Sequence, residues 1–239
     1  MDVSFTKIQH VDEIFTFIKT SAKSPCNFAL LAYSPSKAIE ILKEESSKLN
    51  KDIKFLAPKV CEKVENNLFE QATIMELNRY NPKGVKITEA TIGEINKYHC
   101  IDRSFIDEIL NDTSRREFFT NAQQIMDRNI SNMESELIQT TECKKPTVIP
   151  IPALPGEIVT MHPNSLNGIV NTPMNGASHF IAPTTFYKPF DDYIKTEIEK
   201  TGAKVSLIQD LQYHFYGGEI HCGSLSAPIC KPRHENVNE

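Results

Sequence analysis

Phe28-Ala29-Leu30-Leu31-Ala32-Tyr33 is an unbroken apolar run of strand length, closed by Ser34-Pro35. A run without polar alternation fits a strand buried on both faces, and serine followed by proline is an N-cap with a first-turn proline, so a helix is predicted to follow at once. Ala38, Ile39, Ile41, Leu42 and Leu49 fall near one face of that helix, with Lys43, Glu44, Glu45 and Lys48 mostly opposite. Ile53 to Ala57 reads as a strand, Asn81-Pro82-Lys83-Gly84 as a turn before Val85-Lys86-Ile87, and Thr91-Ile92-Gly93-Glu94 has capping-box spacing.

From about Asn111 to Glu142, Phe118, Ala122, Ile125, Met126, Met133, Leu137 and Ile138 recur at helical spacing, with charged residues of both signs between them. This predicts one long amphipathic helix packed on a sheet, since a face carrying both charge signs does not suit a membrane surface. Beyond Lys144-Lys145-Pro146 the period changes. Val148 to Ile151, Ile158 to Met161, Gly168 to Val170 and Ser178 to Ala182 are strand-like, with Asn175-Gly176 as a tight hairpin turn. Pro189 to Lys200 reads as a helix stopped by Thr201-Gly202, with Gly202 at the left-handed cap. Lys204 to Ile208 and Gly218 to Cys222 complete the strands, and the alternation gives the class α/β.

The 239 residues can bury a substantial core, and one domain is expected. A net charge of -5 provides no basic field for nucleic acid. The chain contains neither a long apolar span nor a signal-peptide pattern at Met1-Asp2-Val3-Ser4, so the expectation is a soluble cytoplasmic protein without membrane attachment. Its six cysteines are widely spread, and they are expected to be reduced thiols.

Candidate chemistry lies at the two ends. Cys222 is followed by Gly223 and preceded by Gly217-Gly218, which let a ligand's or the chain's own backbone come close to the sulfur. On composition alone such a cysteine reads as a small buried hydrophobe. His10 and Asp12 are two apart, so in an extended segment they project from one face. On their own they read as exposed polar residues. Together, a thiol, an imidazole and a carboxylate are the set of a cysteine nucleophile with an acid/base and an anionic anchor. A zinc site from Cys222, Cys230 and His234, with His214 or His221, is set aside because its spacing matches no common structural site.

These segments resemble the protein-arginine deiminases. Gly218-Glu219-Ile220-His221-Cys222-Gly223 is similar to the family's Gly-Glu-Val-His-Cys-Gly, and Gln9-His10-Val11-Asp12-Glu13 to its Gly-His-Val-Asp-Glu. Ile149-Pro150-Ile151-Pro152, Pro163-Asn164-Ser165-Leu166-Asn167 and Leu207-Ile208-Gln209-Asp210 fall between them in the family's order, so nearly the whole chain is covered. The resemblance implies a pentein-type α/β propeller of ββαβ modules, incomplete here, with residues 1–230 as part of the catalytic domain and 231–239 as a polar tail. It implies Cys222 as nucleophile, His10 as acid/base, Asp12 as guanidinium anchor, and Ile8 with Asp12 lining the substrate slot. The expected partner is an arginine-containing protein or peptide, and calcium is the family's metal.

The chain departs from the family pattern at several places. It has no tryptophan, so the family's Trp-x-x-Asp segment, and most calcium-binding acids with it, are expected to lie outside this chain. A second copy or a companion chain is then expected to complete the ring. Gln9 and Tyr216 stand where glycine and arginine are expected. The alternatives are action on a small guanidine such as free arginine or agmatine, including amidinotransfer, or an inactive remnant that serves as an interaction domain. His214 and His221 are expected to be structural, with His221 pointing away from Cys222.

Overall fold

Two hairpins, each continued by helix and a parallel third strand, account for every named strand in the computed structural model, which describes residues 2–5, 10–21, 26–48, 103–156, 160–210 and 219–224. In the first unit β1 (Phe15–Lys19) pairs antiparallel with β2 (Phe28–Ser34), and β2 pairs parallel with β3 (Thr147–Pro152). In the second, β4 (Ile169–Asn171) pairs antiparallel with β5 (His179–Pro183), which pairs parallel with β6 (Lys204–Ile208). Among the described residues this is a mixed α/β fold with two three-stranded sheets and four α-helices.

The apolar run closed by Ser34-Pro35 forms as expected. β2 is the middle strand of its sheet and is buried from Ala29 to Ser34. The Ser34 hydroxyl accepts the Lys37 N–H at 3.2 Å, so one side chain ends the strand and caps α1 (Pro35–Lys48). Ala38, Ile41 and Leu42 of α1 enter a cluster with Ile106, Ile109, Phe119 and Phe190. A larger core joins both sheets through Ile18, Leu30, Leu31, Ile149, Ile151, Leu166, Phe180 and Ala182.

A short helix, α2 (Arg103–Asn111), precedes the long helix expected from about Asn111 to Glu142, which forms as α3 (Thr113–Thr140). Asp112 between them is extended, and its carboxylate accepts the Arg115 N–H, a cap that starts a new helix. The buried face of α3 runs through Phe119, Ala122, Met126 and Asn129, whereas Phe118 and Ile138 are exposed. Of two adjacent aromatics, only Phe119, in phase with Ala122 and Met126, is buried, and it packs in the cluster with α1 and α2.

Other expectations fare unevenly. α4 (Lys188–Glu199) ends as predicted, with Gly202 at φ +84° donating its N–H to the Glu199 carbonyl. The β4–β5 connection is a longer loop, residues 172–178, rather than a two-residue turn, with Gly176 at φ +96°. Around 158–161 the described residues make only the bridge Pro155 to Thr160. The expected elements at 53–57, 81–87 and 91–94 lie outside the described residues, as do Ile8, Gln9 and Tyr216.

Two corrections follow from tertiary contacts. Cys26 and Cys143 form a disulfide, with Cα atoms 5.2 Å apart, rather than two reduced thiols. They sit just before β2 and β3, and the parallel register Ala29 to Thr147 brings them together. The disulfide removes one support from the cytoplasmic expectation. Residues 219–224 form a turn, not a strand, with Gly223 N–H donating to the Glu219 carbonyl at 3.0 Å. No helix among the described residues is long and apolar enough to cross a membrane.

Candidate active site

His10 is extended at ψ 136°, but the chain turns immediately into a short 3₁₀ segment, Val11–Glu13, leading into β1. This overturns the geometry assumed for an extended His10-x-Asp12 pair. In a tight turn, residues three apart eclipse. Glu13, not Asp12, therefore lies beside His10, with Glu13 Oε1 3.9 Å from His10 Nδ1. Asp12 faces a different neighbour, Asn167.

The turn at 219–224 presents Cys222 at the surface above buried Ile220 and Glu219. Successive side chains in a helical turn are about 100° apart rather than on opposite faces. His221 consequently remains on the site side, and its Nδ1 lies 2.8 Å from Asp12 Oδ2. The expected outward orientation of His221 is corrected by that contact.

The segment Pro163 to Asn167 holds the two ends together. Asn164 donates from Nδ2 to the Glu13 carbonyl at 2.7 Å and from its backbone N–H to Glu219 Oε1 at 3.0 Å. Asn167 is fully buried, and its Oδ1 accepts the Cys222 N–H at 3.3 Å. Since a backbone N–H can only donate, this bond fixes the orientation of the amide and turns Nδ2 toward Cys222 Sγ at 3.3 Å and Asp12 Oδ2 at 3.4 Å. The Asn167 carbonyl also accepts the His221 N–H at 3.1 Å. Gly168 allows this docking, because a Cβ there would stand 2.6 Å from the Ile181 carbonyl oxygen.

The sequence-predicted His10, Asp12 and Cys222 are thus brought together from opposite ends of the chain. A ring nitrogen of His10, a carboxylate oxygen of Glu13 and Cys222 Sγ lie within 4.8 Å of one another. Asp12 joins them through the shared Asn167 amide. Ile8, the other predicted slot residue, lies outside the described residues. Glu13, Asn167 and His221 had no assigned part in the chemistry. Asn167 did stand within the polar Pro163 to Asn167 motif, and Glu13 in the segment holding His10, but only docking reveals what they touch.

The site is rich in carboxyl groups held above their usual range. Burial, reinforced by Asp12 and opposed by His10, pushes Glu13 up to about 7. Beneath the turn, burial and the facing Glu219 raise Asp210 to about 8. Burial likewise raises Glu219, although hydrogen bonds from Asp210 and the Asn164 N–H oppose the shift. The arrangement offers a surface-accessible thiol, an adjacent imidazole, and a carboxylate oriented by Asn167 and His221. These are the parts needed to attack and anchor a planar cation.

The family model for protein-arginine deiminase (PAD) matches residues 1–227. No curated protein matches the chain significantly.

Proposed function

The chain belongs to the protein-arginine deiminase family, and on that membership together with the site geometry we propose that it hydrolyses the guanidinium group of peptidyl arginine to citrulline and ammonia. The observation that carries the reading is the meeting of Cys222 Sγ and a His10 ring nitrogen within 4.8 Å, beside an Asp12 carboxylate sharing the Asn167 amide.

In this mechanism Asp12 accepts hydrogen bonds from the guanidinium nitrogens and fixes the plane of the cation. The Cys222 thiolate adds to the central carbon. One terminal C–N bond then breaks, and the leaving nitrogen takes a proton from His10 to depart as ammonia. Water adds to the resulting thiouronium carbon and gives a proton to His10. The C–S bond breaks, which returns the thiolate, and the remaining hydroxyl proton passes to solvent, leaving the ureido group of citrulline. Asn167 Nδ2, 3.3 Å from the sulfur, stabilises the anion at both ends of the cycle. Ile8 is assigned to the slot by family analogy.

The same reading extends to the fold and its surroundings. We assign the two ββαβ units to a pentein ring, with a second copy or a companion chain supplying further modules. Cytoplasmic location is proposed with it. Calcium prefers six to eight oxygen ligands. The nitrogen and sulfur at the described site do not fit it.

Chloroacetamidine, a guanidinium mimic, tests the site. It is expected to alkylate Cys222 ahead of Cys61, Cys100 and Cys230, with protection by a blocked arginine peptide. Uniform or absent labelling would instead support an inactive remnant. Equal hydrolysis of free arginine and blocked peptide would remove the peptidyl assignment.

A further inference from the structure

Folding assembles a donor set that no local spacing contains. His10 and Glu13 lie one 3₁₀ turn apart, Cys222 arrives from the far end of the chain, and their ligand atoms lie within 4.8 Å of one another. This set shares only Cys222 with the zinc constellation rejected on spacing. Bonds of about 2.0–2.3 Å in a tetrahedral site put ligand atoms about 3.3–3.8 Å apart, so closing in by about 1 Å suffices. His10 and Cys222 are exposed, while Glu13 is buried and held by the turn.

One nitrogen, one sulfur and one carboxylate oxygen suit a borderline-soft cation rather than calcium or magnesium. A thiolate and a carboxylate together cancel a double positive charge. The groups behind the ligands are also in place. Asn167 Nδ2 donates toward the sulfur at 3.3 Å, and Asn164 Nδ2 holds the Glu13 carbonyl at 2.7 Å. Exposure at His10 and Cys222 leaves the fourth position to water.

We propose that His10, Glu13 and Cys222 form a three-ligand site for one thiophilic divalent cation of the zinc class, whose occupation silences the nucleophile. Binding rests on this geometry alone, and the silencing rests on the deiminase reading. A bound cation takes the sulfur lone pair and the imidazole nitrogen out of use, so hydrolysis stops until a chelator removes the metal.

Zinc chloride titrated against a chromophoric chelator tests the site on the full chain carrying Cys61→Ser, Cys100→Ser and Cys230→Ser. One equivalent is expected to bind. Affinity is expected to fall at least tenfold in each of Cys222→Ala, His10→Ala and Glu13→Gln, with unchanged circular dichroism. Cobalt(II) in the same site is expected to give a sulfur-to-metal charge-transfer band that Cys222→Ala abolishes. Unchanged affinity in any one of the three variants overturns the three-ligand site, as does failure of the folded parent to bind zinc. Zinc binding without citrulline formation leaves this inference standing and sinks the deiminase reading. Citrulline formation without zinc binding does the reverse.

Discussion

Replacing Asn167 with aspartate changes one donor into a charged acceptor while keeping the shape of a fully buried side chain. Oδ1 still accepts the Cys222 N–H, but the group facing Cys222 Sγ at 3.3 Å and Asp12 at 3.4 Å no longer donates. A hydrogen bond to a charged group contributes about 1.5–3 kcal/mol, so losing it disfavours the sulfur anion by about 10- to 150-fold. A less stabilised thiolate is intrinsically more nucleophilic, which returns about half of that loss on a logarithmic scale. Alkylation of Cys222 by iodoacetamide at pH 7, followed by peptide mass spectrometry, should therefore slow by about 3- to 12-fold from the lost donor alone. Repulsion from the new carboxylate should slow it further. Citrulline formation should fall by the larger factor, because Asp12 also loses its orienting donor. Wild-type alkylation by folded Asn167→Asp would refute the assignment of this amide to the sulfur.

Several other perturbations have calculable directions. His221→Ala removes a partly exposed contact to Asp12 worth about 0.2–1 kcal/mol, so KM for an arginine peptide should rise about 1.4- to fivefold with little change in kcat. Asp210 and Glu219 titrate near 8 when folded, whereas unfolded carboxyls titrate near 4, so the folded form holds a proton the unfolded chain releases. Stability should be greatest below about pH 4 for this pair and decline as pH rises toward 8; Asp210→Asn should flatten that decline in thermal unfolding scans from pH 5 to 8. Cys26→Ser or Cys143→Ser opens a loop with a sequence separation of 117 and should cost about 3–5 kcal/mol in denaturant unfolding. Gly168→Ala drives a Cβ against the Ile181 carbonyl and should cost about 1–3 kcal/mol while slowing Cys222 alkylation.

The β2–α1 junction was legible because a continuous apolar run, a capping serine and a first-turn proline all point to one boundary. The end of α4 was legible for a similar reason, since only a residue like Gly202 takes φ +84° without strain. Phe118 and Phe119 offer the same apolarity one residue apart, and packing against neighbouring helices chose between them. At Glu219 to Gly223 the sequence supports alternation or a turn equally, and the bonds to Asn164 and Asn167 decide for the turn. The Cys26–Cys143 disulfide depends on parallel register, which no local pattern encodes. The candidate site was legible as residue types at His10, Asp12 and Cys222. Its wiring through Glu13, Asn167 and His221 exists only after distant segments dock.

The central claim is that Cys222, His10 and Asp12 act on one guanidinium, and its most direct measurement is citrulline and ammonia formation from a blocked arginine peptide. The full chain is expected to release both in equal amounts, with loss of turnover in Cys222→Ala and a drop of at least a hundredfold in His10→Ala and Asp12→Asn. Citrulline formation that survives Cys222→Ala, or a folded wild-type chain that forms none, contradicts the account.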